Sequence, residues 1–158
     1  MPDRLPLRLI EVDLPIARIS AHARKEKNIR QGNISTLHYW WARRPLAACR
    51  AVILGALLPD PADPLCPPAF VDAARTKMLQ WARTPADNVS TESARRMVRN
   101  GRDPRHLDDP LNLRQALLDF IADFADWDHS TDVEYLAISR SLVQVVHPQT
   151  ASKREQPA

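Results

Sequence analysis

The thirteen residues from Leu46 to Leu58, LAACRAVILGALL, carry one charge, Arg50, and are fenced by Pro45 in front and by Pro59 and Pro61 behind. Proline suits the first turn of a helix, where its missing N–H would be unpaired anyway, and is excluded from the interior. The run therefore predicts one helix that begins at Pro45 and ends before Pro59. With so few polar positions, it also predicts burial almost all round, at the centre of the fold.

Directly ahead of this helix stand Trp40-Trp41 and Arg43-Arg44. Unpaired N–H groups and the helix dipole favour an anion at a helix N-terminus. Arginine forks take phosphate or carboxylate bidentately, and indole faces stack on bases or pack on an adenosine. The same residues have plainer uses. Paired tryptophans serve core packing, and Arg43 and Arg44 can cap a turn or pair with carboxylates, for which the Asp-rich stretch at 119–132 is the nearest rich source.

The rest of the chain reads as helices separated by prolines. Fourteen prolines against three glycines favour helices joined by stiff turns over hairpins. Residues 1–14 form an arm with room for a short strand at Arg8 to Val12. Pro15 opens a helix to about Lys27, with Ile16, Ile19 and Ala23 on one face. After the break at Pro59 to Pro64, a helix from Pro67 or Pro68 aligns Phe70, Ala74, Met78 and Trp81. Residues 84–90 read as a loop. A helix follows from Thr91 to Asn100, with Gly101 as its stop. It bears Arg95, Arg96, Arg99 and Arg102, with Arg105 beyond; these can touch a phosphate backbone or pair with neighbouring acids. Asp109-Pro110 is an N-cap and first-turn pair, and Leu113, Leu117, Phe120, Ile121, Phe124 and Trp127 form the stripe of that helix. Asp119, Asp123 and Asp126 lie on another side, too few ligands for a metal site. A capping box from Thr131 to Glu134 starts the last helix, with Leu136, Leu142, Val143 and Val146 inward. The fold class expected is mainly α, about six helices around a central buried helix. Residues 1–147 form one helical domain and 148–158 a disordered tail.

Charge is uneven. Residues 1–50 carry ten Lys or Arg against four Asp or Glu; the remainder carries twelve against fifteen. A basic front with aromatics suits a polyanion, with Arg24, Lys25, Lys27 and Arg30 as the candidate nucleic-acid contacts. Helix-end basic residues also answer the dipole, so the cluster has a structural use as well. Cys49 and Cys66 lack C-x-x-C spacing, so no zinc site and no other metal is expected. With no signal peptide and no apolar run of roughly eighteen residues, a cytoplasmic protein with no membrane partner is expected.

The stretch from Leu9 to Pro61, and WWARRPLA within it most specifically, resembles the N-terminal domain of unknown function of large bacterial adenine-specific DNA methylases that carry a zinc ribbon. Looser similarity continues through FVDAARTKMLQWA and LLDFIADFADWDHSTDVEYLAISRSLV, so that residues 4 to 147 are covered. The resemblance implies a parent activity of methyl transfer from S-adenosylmethionine to the exocyclic amine of adenine in DNA, in a phage-defence or restriction-modification setting. It implies DNA, the remaining methylase domains or defence-cluster proteins as partners. It also implies that Thr36, His38, Trp40, Trp41, Arg43, Arg44 and Pro45 support the methionine end of the cofactor, as an H-P-T-x-K-P segment does in many amino-methyltransferases. The spacing here differs, and Trp40-Trp41 has no counterpart there. The glycine loop of type DPFxGGG and the catalytic D/N/S-P-P-Y/F tetrapeptide are absent; Cys66-Pro67-Pro68-Ala69 lacks both flanking requirements. The chain thus reads as the front piece of a methylase, with no catalytic residue and no cofactor bound by itself. A basic helical module that binds nucleic acid or a defence partner without catalysis, and a truncated gene remnant, are the alternatives.

Overall fold

The computed structural model describes residues 5–28, 46–83, 91–129 and 131–147. The described residues form seven α-helices: α1 (Leu9–Val12), α2 (Ile16–Asn28), α3 (Leu46–Leu57), α4 (Pro68–Ala82), α5 (Thr91–Arg102), α6 (Pro110–Phe124) and α7 (Val133–Val146). Two 3-10 turns, Pro104–Asp108 and Trp127–His129, flank α6. The mainly α fold expected from the proline punctuation is what forms.

The centre of the fold is α6, which packs against α3, α4, α5 and both 3-10 turns. Asp109 caps it, accepting the Leu111 N–H at 3.3 Å, and Pro110 occupies the first turn. Every residue from Ala116 to Phe124 is buried. Burial of side chains such as Leu117, Phe120 and Ile121 contributes about 1.5–3 kcal/mol each. Around Phe120 the rings interlock. Trp81 of α4 meets it edge-on, with centroids 5.4 Å apart, and Tyr135 of α7 stacks on it at 5.3 Å. The expected α4 stripe, Phe70, Ala74, Met78 and Trp81, is wholly buried against this core.

Several expectations need correction. α3 is not buried all round: Leu54 is buried, but Val52 and Ile53 are exposed and Leu57 is only half-buried. The helix lies on the flank of α6, so one apolar face is left open. No strand forms at Arg8 to Val12. Arg8 makes only an isolated antiparallel bridge to Pro59, and Leu9–Val12 closes a single helical turn, in which the Glu11 carboxylate accepts the Arg8 N–H at 2.7 Å. On α2, Ile19 is buried while Ile16 is exposed. Gly101 does not end α5. It lies inside the helix against α4, and the chain breaks two residues on, where Asp103 caps the next turn and Pro104 follows. The N-cap of α7 is Asp132, not Thr131: its carboxylate accepts the Glu134 N–H at 2.8 Å. Tyr135 and Ile138 belong to the buried face of that helix beside Leu142.

Candidate functional site

The residues expected to meet a cofactor, Thr36, His38, Trp40, Trp41, Arg43, Arg44 and Pro45, lie outside the described residues, as does Arg30. What is described is the pair of ends that holds this stretch, α2 before it and α3 after it. The two helices pack against each other. α3 has no acidic residue in its first turn, and its N-terminus receives the carboxylate of Glu26 from the last turns of α2. Glu26 is buried and accepts the Ala47 N–H at 3.1 Å and one Arg50 N–H at 3.4 Å. Arg50 also donates to the Ala125 carbonyl at 2.8 Å and lies over the Trp127 ring, 5.9 Å from its centroid. Burial lowers the pKa of Arg50, and Glu26 and Asp126 oppose that shift. An anion at the start of α3 is thus present, and it is an internal one. The sequence signal was a helix with no acidic residue of its own in its first turn.

Of the candidate nucleic-acid contacts, Arg24 is exposed, with its Nε–H directed to the Ser20 carbonyl at 3.4 Å. Lys25 donates to Asp128 at 2.8 Å and to Asp126 at 3.4 Å, and the Asp128 bond raises its pKa. The side chain of Lys27 is not among those described. Asp126 also faces His22 Nδ1 at 3.0 Å. Burial alone would raise the pKa of Asp126, but the Asp128 N–H, His22 and Lys25 together hold it below the usual carboxylate range.

The two aspartates of α6 itself, Asp119 and Asp123, anchor helices. Asp119 accepts from Arg18 of α2 at 2.8 Å and from Arg96 of α5 through both carboxylate oxygens. Asp123 accepts from Arg18 at 2.9 Å. Arg96 also pairs with Glu92 at 2.9 Å, and its bonds to Asp119 raise its pKa further. A cleft of about 410 Å³ opens beside this cluster, lined by Asp13, Arg18, Glu92, Arg96, Gln115 and Asp119 among others. The guanidiniums facing it already hold carboxylates, so the cleft is the mouth of a structural ion network. Among the described residues, no group of three His, Cys, Asp or Glu side chains could hold a metal ion. A further pair, also unforeseen, joins α6 to the segment just after α3: Arg114 clamps buried Asp60, with Nε 2.8 Å from Oδ1. No described helix is long and apolar enough to cross a membrane.

Residues 13–80 match the model of a family described as a protein of unknown function, DUF1156. The match spans α2 through most of α4 and includes the whole stretch between α2 and α3. No curated protein and no solved structure matches the chain.

Proposed function

We propose that this chain is the non-catalytic front of a protein of the adenine-specific DNA methyltransferase type, in which residues 36–45 form one wall of the S-adenosylmethionine site. The carrying observation is the tie between Glu26 and Ala47, which anchors both ends of the connection bearing Trp40, Trp41, Arg43 and Arg44. A binding element needs rigid flanks to present its side chains, and two packed helices joined by a buried carboxylate supply them. In this reading a guanidinium of Arg43 or Arg44 takes the methionine carboxylate, and an indole face lies against the adenosine. The family match over residues 13–80 includes this stretch. Methyl transfer to adenine requires the base to be turned out of the stack, and the groups that do so belong to a region carrying the glycine loop and the catalytic tetrapeptide. The phage-defence setting is part of the same proposal and rests on the resemblance of WWARRPLA and its surroundings.

The test uses a complete methylase that bears this segment. Arg43→Gln and Arg44→Gln, made singly, should raise the KM for S-adenosylmethionine by about tenfold or more in at least one case, which is about 1.4 kcal/mol, with the thermal midpoint unchanged. An unchanged KM in both variants would remove the cofactor role. Unfolding of both, with normal KM in the surviving folded fraction, would assign these arginines to structural ion pairs.

A further inference from the structure

Three arginines of α5 and one just beyond the helix stand outside the ion network. Arg95, Arg99 and Arg102 are exposed on the helix, and Arg105 is exposed on the 3-10 turn that follows. At about 100° per residue, Arg95, Arg99 and Arg102 fall within a sector of about 60° and span about 10 Å along the axis. The buried residues of the same helix, Ser93, Met97 and Asn100, point the opposite way. Arg96, between the two faces, is turned inward onto Asp119 and Glu92, which fixes the rotation of the helix.

Carboxylates in the neighbourhood are engaged elsewhere. Glu92 holds Arg96, and Asp108 holds Arg75 at 3.1 Å. Asp103 accepts the Arg105 N–H and Asp109 the Leu111 N–H, each as a cap. Arg95, Arg99, Arg102 and Arg105 form no ion pair with any described residue. All four are arginines and none is lysine, which suits planar, bidentate contact with phosphate oxygens. The one exposed apolar residue among them is Val98. A membrane-bound helix presents a broad apolar face beside its charges, and a single valine does not make one.

We propose that this ridge docks on the phosphate backbone of duplex DNA and positions the domain without reading bases. Duplex DNA offers one charge per about 1.7 Å of axis, so a ridge of about 10 Å meets several phosphates at once. The choice of DNA as the polyanion rests on the methylase-type reading; the ridge itself does not.

The experiment is fluorescence anisotropy of the purified chain on a labelled duplex across a KCl series, with the circular dichroism of each variant checked. The wild type should bind with a log–log salt slope of about −3, and Arg99→Gln should lower that slope by about 1. Arg95→Gln/Arg99→Gln/Arg102→Gln should weaken binding by about tenfold or more at about 50 mM KCl. Arg140→Gln, an exposed arginine on α7, should leave the slope unchanged. Absent wild-type binding at that salt, or equal slopes for wild type and triple variant, would overturn the proposal. So would tighter ridge-dependent binding to single-stranded RNA or to vesicles containing phosphatidylserine. None of these outcomes touches the cofactor wall, because the cofactor KM is read separately on Arg43 and Arg44.

Discussion

The buried Glu26 carboxylate of α2 accepts the backbone N–H of Ala47, in the first turn of α3, at 3.1 Å. This bond places a negative charge at a helix N-terminus that has no acidic residue of its own, and it joins two helices whose connection is 29–45. Glu26→Gln keeps an acceptor for the N–H but loses the charge, and should cost about 1 kcal/mol. Glu26→Ala leaves a buried donor unpaired and should cost more, about 2–3 kcal/mol. Urea unfolding of both variants checks the order; equal costs would show that the bond to Ala47 contributes nothing beyond the charge.

Asp119 is the hub of a second tie, because its two guanidinium partners come from different helices. Asp119→Asn should cost about 3 kcal/mol, the lower end for breaking a buried pair, since Arg18 and Arg96 keep partial access to solvent. Combining it with Arg96→Gln should cost clearly less than the two single changes added together. Additive costs would mean that the network does not act as a unit.

Packing separates two leucines of α3 that look alike in the sequence. Leu54→Ala should cost about 2–5 kcal/mol, because the side chain is buried. Ile53→Ser, on the open face, should change stability by about 0.5 kcal/mol or less. Leu57→Ala should fall between them, since that residue is half-buried. Denaturation midpoints in the reverse order would place α3 differently against α6.

Acid should weaken the contact between α2 and the segment just after α6 in a set direction. The pKa of Asp126 is depressed in the folded state, so its contribution is present above the ordinary aspartate pKa and is lost as pH falls through the lower folded value. Lys25, whose pKa is raised, contributes below its ordinary pKa and loses that contribution as pH rises through the folded value. Asp126→Asn should therefore flatten the acid limb of the stability profile and leave the neutral plateau lower. An acid limb identical to wild type would assign acid sensitivity to other carboxylates.

Much of the fold is legible from punctuation and period. Pro68, Asp109-Pro110 and the stripe Phe70–Ala74–Met78–Trp81 lead directly to α4 and α6. The centre of the fold is harder to read, for a physical reason. α6 carries Asp119 and Asp123, so its sequence looks amphipathic, and only the arrival of Arg18 and Arg96 from distant positions lets those carboxylates be buried. α3, with a single charge, looks more buried than it is, because nothing in a local pattern tells an apolar face that is covered from one that is left open. Glu26 is similarly invisible as a cap, since the residue it serves lies twenty-one positions away. The expected cofactor residues lie outside the described residues: chemistry alone reads Trp40, Trp41, Arg43 and Arg44 as an anion and aromatic site, and only resemblance makes it a cofactor wall.

The most direct measurement is photocrosslinking of methyl-labelled S-adenosylmethionine to a complete methylase bearing this segment, followed by peptide mapping. The account predicts label on the peptide that contains Trp40 and Trp41, diminished by Arg43→Gln or Arg44→Gln. Label confined to peptides outside residues 1–158, with efficient crosslinking overall, would contradict it.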